Sequence, residues 1–201
     1  MNPNQYNFGK YNNIERWSSY WHQINEVLSL RPESVLVIGK GDGIVPEVLK
    51  KHIQEVKTMD IDERLEPDIV ASAENIPLKE NSFEVILCAE VLEHLPFEKF
   101  KNSLSEIYRV SKGFVILSLP HWGRHFSIEI RMPFFKKKRL QCKLNFFPVN
   151  HKFDGEHYWE IEKKGYSLKK IKKEIESVGL KILKDYICFE SPYHHFFILK
   201  K

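Results

Sequence analysis

The sequence predicts an α/β protein built on an open, mostly parallel sheet. Two observations favour this class: short apolar runs typical of buried strands alternate with segments of helical period, and glycine or proline often stands where one gives way to the other. Sheets of this kind have helices on both faces. A chain of 201 residues with 42% hydrophobic content can bury one sizeable core, so we expect a single domain over 1–201.

The first half of the chain predicts one helix, then strands. The opening helix repeats apolar residues at steps of three and four and ends before Arg31-Pro32; these residues are Ile14, Trp17, Trp21, Ile24 and Leu28. Four short apolar runs follow as strands, namely SVLVIG, EVKTMD, DIVA and FEVILCA. A helix over 44–52 follows the first of them. This order is typical of repeated strand and helix units.

The second half continues the alternation. Pro96 opens a helix with one apolar face, and Gly113 stands where we expect its C-terminal cap. FVILSLP is the fifth predicted strand. Ser167 caps a later helix that ends at Gly179, and the runs KILKDYICF and HHFFILK follow as strands.

Composition excludes several classes of protein. Net charge is +4, and no basic face or stacking motif recurs, which argues against a nucleic-acid partner. The three cysteines are far apart, so neither a disulfide framework nor a CxxC metal pair is predicted. The N-terminus lacks an apolar targeting segment, and no apolar stretch is as long as a membrane span. We therefore expect a soluble, cytoplasmic protein, and we predict no oligomeric state.

Residues 35–43, VLVIGKGDG, end a predicted strand in three glycines. Glycine lets a ligand approach the main chain, and the N–H groups of the next helix point into the same space. A sharp turn alone would explain the glycines equally well. Asp60 favours a ligand, because it ends the second strand where a carboxylate can accept both hydroxyls of a ribose. Ile44 occupies the third glycine position of the dinucleotide fingerprint, which argues against a nicotinamide enzyme.

Three stretches taken together resemble the class I S-adenosylmethionine-dependent methyltransferases, in particular the type 11 group. They are VLVIGKGDG, VKTMDID and SAENIPLKENSFEVILCAEVLEHL, and the resemblance covers roughly 33–120. It implies a Rossmann-like sheet of seven strands with the last strand antiparallel. It also implies a cofactor-binding half over 33–120, a substrate-covering insertion over 121–160, and a C-terminal helix with two strands over 161–201. Residues 1–30 precede these as a helical segment.

The resemblance also implies roles for individual residues. The floor beneath the methionine and ribose parts of the cofactor would be Gly39, Lys40, Gly41 and Gly43. Asp60 would hold the ribose hydroxyls and Ile61 would lie against the adenine. Ser72, Ala73 and Glu74 would border the adenine, and the path to the methyl group would be lined by Cys88, Ala89 and Glu90. Cys88 is also a candidate for a plain core thiol.

Two residues depart from the family pattern. Relatives usually carry an acidic residue in place of Val37 and commonly an Asp in place of Ser72. The resemblance implies an enzyme that binds S-adenosylmethionine, releases S-adenosylhomocysteine and methylates O, N or C of a small-molecule, sugar or lipid-linked acceptor. The departures leave a second hypothesis open, a non-catalytic cofactor-binding protein or partner subunit.

A hydroxyl acceptor would need a general base, and His121 or His157 is our candidate. His157 lies in HKFDGEHYWE, which predicts either an acceptor pocket or a polar turn at Asp154-Gly155 followed by core aromatics. His94 is predicted to be structural or adjacent to the cofactor. The histidine spacings match no familiar ligand pattern, so we predict no metal site.

Two further segments carry functional hypotheses. RMPFFKKKRL, residues 131–140, places two phenylalanines beside four basic residues. That pattern suits an anionic membrane surface or a lipid-linked acceptor, although many such runs are only solvated loops. The N-terminal segment is rich in aromatics and is predicted either to cover the cofactor as a lid or to pack on the sheet; these residues are Tyr6, Tyr11, Trp17 and Trp21.

Overall fold

The computed structural model of the chain describes residues 13–144 and 149–201. Seven of its strands form the main sheet: β1 (Ser34–Ile38), β2 (Glu55–Asp60), β3 (Ile69–Val70), β4 (Phe83–Ala89), β5 (Ser111–Pro120), β8 (Lys181–Ile187) and β9 (His194–Lys200). The remaining two, β6 (Arg124–Ile130) and β7 (Lys138–Leu144), form a separate antiparallel hairpin.

The α-helices within 13–144 and 149–201 are α1 (Ile14–Ser29), α2 (Ile44–Leu49), α3 (Phe97–Val110) and α4 (Leu168–Ser177). Side-chain oxygens cap two of them, because Asn13 accepts a hydrogen bond from the Arg16 N–H and Ser167 from the Lys170 N–H. Short 3-10 turns span Glu63–Leu65 and Leu92–His94. Within the described chain, no helix combines the length and apolar character needed to cross a membrane.

The main sheet has the order β3-β2-β1-β4-β5-β9-β8. Strand β9 is antiparallel to both β5 and β8, whereas the pairs from β3 to β5 are parallel. The predicted fold class is confirmed, including seven strands and an antiparallel last strand. The strand order reverses between β1 and β4, where an open α/β sheet leaves a crevice at its carboxyl edge.

The sheet has a core on each face, which explains why all five residues of β1 are buried. On one face, Leu36 and Ile38 belong to a cluster with residues of α3 and α4 such as Leu104 and Ile171. On the other face, Val35 and Val37 join residues of α1 and α2. The prediction of helices on both faces is therefore confirmed.

One predicted helix end is wrong. Helix α3 ends at Val110, and β5 begins immediately at Ser111, so Gly113 lies inside the strand and is not a helix cap. The pairing of β4 with β5 shifts register between Phe83 and Val85, and Gly113 falls in this bulged stretch. Its N–H donates to the Ser111 Oγ at 3.2 Å. The glycine signals a bulge, which has the same local composition as a cap.

Candidate active site

A cavity of about 500 Å³ lies at the carboxyl edge of β1, β2 and β4. Its wall combines the glycine turn after β1, the end of β2, the 71–73 loop, the end of β4, the start of α1, and residues 156–157 and 191–194. The cavity occupies the point where strand order reverses, and its volume is that of a small-molecule site.

The turn after β1 brings main chain to the cavity surface. Gly39 has φ +84°, and a Cβ built there would lie 2.4 Å from the Val91 Cγ2, so the turn excludes a side chain at this position. Gly41 has φ +58°, and a Cβ there would meet none of the described atoms within 4 Å although the residue lines the cavity. A side chain at Gly41 would therefore project into the free space that a ligand would fill.

Asp60 is held at the cavity by main-chain hydrogen bonds. Its Oδ2 accepts from the Lys40 N–H at 2.8 Å, and its Oδ1 accepts from the Asp62 N–H at 3.0 Å. A carboxylate has about four acceptor positions, so Asp60 keeps capacity for two further donors. The Lys40 ammonium donates to the Leu65 and Glu66 carbonyls at 2.6 and 2.7 Å, which ties the glycine turn to the chain after β2.

Most residues predicted for the cofactor line this cavity. They are Gly39, Lys40, Gly41, Asp60, Ile61, Ser72, Ala73, Ala89 and Glu90. Ile61 is 67% exposed, which leaves apolar surface available for a ligand ring. The structure thus brings together residues from four separate strand ends.

Three residues predicted for the cofactor do not line the cavity. Gly43 is the N-cap of α2 with φ +80°, so it shapes the turn instead. The Glu74 Oε1 pairs with the Lys99 Nζ at 3.0 Å. Cys88 is fully buried in the core, and burial together with the nearby Glu93 and Glu90 raises the pKa of its thiol well above the usual range. The alternative interpretation of Cys88 as a core thiol matches its position.

Glu90 reaches the cavity from an uncommon backbone conformation, with φ +53° at the end of β4. Its N–H donates to the Ser118 carbonyl at 3.0 Å, and the Ser118 Oγ donates to its Oε1 at 2.5 Å. A positive φ at a residue other than glycine persists only where surrounding contacts hold it, and it is often found at functional sites. Here β5 supplies those contacts.

His157 also lines the cavity, on the side opposite the sequence motifs. The Tyr193 hydroxyl donates to the Glu160 Oε1 at 2.8 Å, and it lies 3.1 Å from the His157 Nδ1. Since the only hydroxyl hydrogen of Tyr193 goes to Glu160, the His157 Nδ1 must be the donor to Tyr193. The Nε2 is then the ring nitrogen that can accept a proton.

The charges around His157 favour its protonated form. Burial opposes protonation, but the Glu160 carboxylate at 3.5 Å and the charges of Glu90 and Asp154 outweigh it, so the pKa of His157 is raised. Burial likewise tends to raise the pKa of Glu160, yet hydrogen bonds from His157 and Tyr193 lower it overall. The two directions agree, as expected for an ion pair.

The segment around His157 contains features of both alternatives. The Asp154 Oδ1 accepts from the N–H groups of Glu156 and His157 at 3.0 and 2.8 Å, forming the polar turn. Trp159 is fully buried and donates to the Leu95 carbonyl at 3.1 Å, but Tyr158 is 44% exposed and does not join the core. The turn and the buried Trp159 thus place His157 at the cavity.

His121 is not brought together with His157. It is 4% exposed, its Nδ1 lies 2.8 Å from the His195 Nδ1, and it does not line the cavity. Burial, reinforced by the charge of Lys143, lowers the pKa of His121 to about 2. Its N–H donates to the Tyr193 carbonyl at 2.7 Å, so His121 supports the turn that carries Tyr193.

Sequence reasoning missed Tyr193 and gave no role to Glu93, and it left the position of His94 open. Glu93 is fully buried, neither of its carboxyl oxygens has a hydrogen-bond partner in the described part of the chain, and burial, then the charge of Glu90, raises its pKa well above the usual range. His94 lines the cavity, with its ring 4.9 Å from that of His157. Ligand atoms of Glu93, His94 and His157 lie within 4.8 Å of one another. Only the adjacent acid and histidine in VLEHL hinted at this group.

Helix α1 forms one side of the cavity through Arg16, Tyr20 and Gln23. The Tyr20 hydroxyl donates to the Asp42 Oδ2 at 2.8 Å, which fixes the helix against the glycine turn. Trp17 and Trp21 are 46% and 59% exposed. The lid hypothesis stays a prediction, because Tyr6 and Tyr11 lie outside the described residues.

Comparisons with known proteins agree with this geometry. Residues 36–117 match a family described as a methyltransferase domain. No curated protein matches the chain in sequence. Three solved structures share the fold at low identity, with this chain and the other covered as stated. The N-methyltransferase NodS from Bradyrhizobium japonicum WM9, in complex with S-adenosyl-L-homocysteine, has a TM-score of 0.64 at 12% identity, covering 100% and 93%.

The second is the 1,6-didemethyltoxoflavin-N1-methyltransferase of Burkholderia thailandensis, bound to 1,6-didemethyltoxoflavin and S-adenosylhomocysteine, with a TM-score of 0.64 at 10% identity, covering 96% and 83%. The third is the magnesium protoporphyrin IX methyltransferase of Synechocystis PCC 6803 with bound S-adenosylmethionine, with a TM-score of 0.63 at 12% identity, covering 94% and 80%. The domain match, the strand order and the glycine turn with Asp60 at the cavity lead to one conclusion: the chain is a class I S-adenosylmethionine-dependent methyltransferase.

Proposed function

We propose that the enzyme methylates a hydroxyl oxygen of a small-molecule acceptor and that His157 is the general base. The observation that carries this proposal is the hydrogen-bonded group of His157, Tyr193 and Glu160 at the cavity wall. Methyl transfer to oxygen needs removal of the hydroxyl proton, and a histidine backed by a carboxylate is a common means of removing it.

The cofactor is assigned to the motif side of the cavity. S-adenosylmethionine supplies, when bound, an electrophilic methyl group on a positively charged sulfur. We assign its ribose hydroxyls to Asp60, which has acceptor capacity left, and its adenine to Ile61, Ser72 and Ala73. Gly41 leaves the space beside the main chain open. The residues present therefore fit the cofactor.

His157 does the acid–base work in this proposal. Its Nδ1 is engaged as a donor, so its Nε2 takes the acceptor proton, and Glu160 stabilises the imidazolium that results. General base catalysis of this kind contributes about 10²–10⁴-fold to a rate. His94 and Tyr193, which line the same wall, would orient the acceptor.

An amine acceptor is the second candidate. Glu90 and Glu156 line the cavity, and carboxylates favour an ammonium group there. A neutral amine is already nucleophilic, so His157 would matter much less to its methylation. The two acceptor classes therefore differ in their dependence on this histidine.

A panel of matched hydroxyl and amine acceptors, assayed by release of S-adenosylhomocysteine, tests the proposal. We expect turnover with hydroxyl compounds that is lost in His157→Gln while S-adenosylhomocysteine still binds. The exposed His125→Gln variant is the matched control. Turnover with amines alone, unchanged in His157→Gln, would contradict the proposal and favour the second candidate.

A further inference from the structure

The hairpin of residues 124–144, called here the basic hairpin, presents an apolar face to solvent. Six side chains along β6, the connecting loop and β7 are between 40% and 105% exposed: Phe126, Ile128, Ile130, Phe134, Phe135 and Leu140. Phe126, Ile128 and Ile130 alternate along β6, and Leu140 is the partner of Ile128 in the register. These residues therefore share one face of the hairpin. That face is far more apolar than a solvated loop requires.

The opposite face of the basic hairpin is bound to the rest of the molecule. The Arg139 Nη1 lies 2.6 Å from the Glu190 Oε1, and its guanidinium lies 4.6 Å from the centre of the Phe189 ring. The Lys143 ammonium donates to the His121 carbonyl. The hairpin is thus anchored through its polar face, and the apolar face is presented outward in a fixed orientation.

The charge of the basic hairpin exceeds that of the whole chain. It contains seven basic residues and one acidic residue, Glu129, which gives +6, whereas the whole chain carries +4 and the remainder therefore carries −2. Glu129 is shared by Arg131, Lys137 and Arg139. The basic residues are Arg124, Arg131, Lys136, Lys137, Lys138, Arg139 and Lys143. Positive charge is therefore concentrated around the apolar face.

Helix α1 extends this surface. A groove of about 390 Å³ separates the helix from the hairpin and is lined by Trp21 and Arg139, among others. Trp17 and Trp21 expose large parts of their rings, and tryptophan is enriched at membrane–water interfaces. The same helix lines the cofactor cavity through Arg16 and Tyr20. Helix α1 thus borders both the exposed aromatic surface and the active site.

We propose that the basic hairpin docks the enzyme on an anionic phospholipid bilayer, with Phe134 and Phe135 entering the interface. Exposed aromatics next to clustered lysines combine the apolar and electrostatic terms that peripheral membrane binding needs. A second copy of the chain is a poorer occupant, because pairing two such faces would bring two +6 charges together. The aliphatic residues on the face suit acyl chains better than nucleic-acid bases.

Sedimentation of the full chain with vesicles tests this proposal. We expect binding to vesicles of mixed phosphatidylcholine and phosphatidylglycerol, weak binding to phosphatidylcholine alone, and a loss of binding at about 0.5 M salt. The triple variant Lys136→Gln, Lys137→Gln, Lys138→Gln should lower the partition coefficient on the order of 100-fold. Phe134→Ser with Phe135→Ser should lower it by about tenfold or more.

Matched controls change the same chemistry elsewhere. Lys164→Gln, Lys169→Gln, Lys173→Gln removes three exposed charges near and along α4, and Val70→Ser with Leu183→Ser removes exposed apolar side chains from the main sheet. Both controls should bind vesicles like the parent, and S-adenosylhomocysteine binding by every variant reports an intact fold. Equal binding by the hairpin and control variants would overturn the proposal. So would an absence of vesicle binding, including one accompanied by a dimer that only the Phe134 and Phe135 changes abolish.

Discussion

The two walls of the cavity are built differently. The cofactor wall consists largely of main chain and short motifs: glycines after β1, an acid after β2, and small residues after β3 and β4. The acceptor wall consists of side chains such as His94, His157 and Tyr193, which come from segments far apart in the chain. The first wall depends on backbone shape and the second on tertiary packing. Variants on the two walls should therefore separate binding from turnover.

The largest effect is expected on the acceptor wall. His157→Gln should lower turnover by about 10²–10⁴-fold and leave cofactor affinity unchanged, because the ring acts on the acceptor proton only. Steady-state turnover and calorimetric titration with S-adenosylhomocysteine measure the two quantities. A parallel loss of cofactor affinity would show that the two walls are not separable.

Asp60→Asn should have the opposite signature. A charge-assisted hydrogen bond is worth about 1.5–3 kcal/mol, so cofactor affinity should fall roughly 10- to 150-fold. The main-chain donors Lys40 N–H and Asp62 N–H can still bond to the remaining amide oxygen, so the fold should persist. Calorimetry with S-adenosylhomocysteine checks the affinity. An unchanged affinity would move the ribose away from Asp60.

Gly41 and Gly39 distinguish space for the ligand from space for the fold. Gly41→Val should weaken cofactor binding by about tenfold or more, since the side chain enters the cavity, and cost about 1–2 kcal/mol of stability through its positive φ. Gly39→Ala should mainly destabilise the protein, because its Cβ collides with Val91. Thermal unfolding and calorimetry on both variants give the comparison. A Gly41→Val variant that binds like the parent would place the cofactor elsewhere.

A smaller effect is expected on the pH profile. The base must be neutral to accept a proton, and the pKa of His157 is raised above its ordinary value of 6.5, so turnover should fall as pH drops through that raised pKa. Glu160→Gln removes the carboxylate that raises it and should move this acid limb to lower pH. The pH dependence of turnover at saturating acceptor measures the shift. A limb that stays in place would exclude the pair as its origin.

The smallest effect is expected at Glu93, which is buried without a hydrogen-bond partner in the described chain. Its folded pKa is raised above the ordinary 4.5, so the folded state holds this proton more tightly and the parent loses stability as pH rises above that value. Glu93→Gln should change the free energy of unfolding by less than about 1.5 kcal/mol at about pH 5. Its stability relative to the parent should rise towards about pH 8. A growing deficit would instead indicate an ionised, partnered Glu93.

The contrast between the walls also explains what sequence could predict. Strand and helix periods and the Gly39 and Asp60 motifs are local, so the sheet and most of the cofactor wall followed from them. Cys88 and His121 follow the right strands, but burial and a second histidine, His195, keep them from the cavity. Tyr193 carries no local signal, because it reaches Glu160 only through the pairing of β8 with β9. Side chains recruited by tertiary packing are not visible in a single sequence.

The place of β9 in the sheet bears on how the chain folds. This strand follows β8 in sequence but lies between β8 and β5, and six of its seven residues are buried. Until β9 has been synthesised, β8 has no neighbour in the main sheet and the open edge of β5 is an apolar template for other strands. A nascent or truncated chain would thus expose an adhesive edge, and aggregation should compete with folding until the final pairing forms.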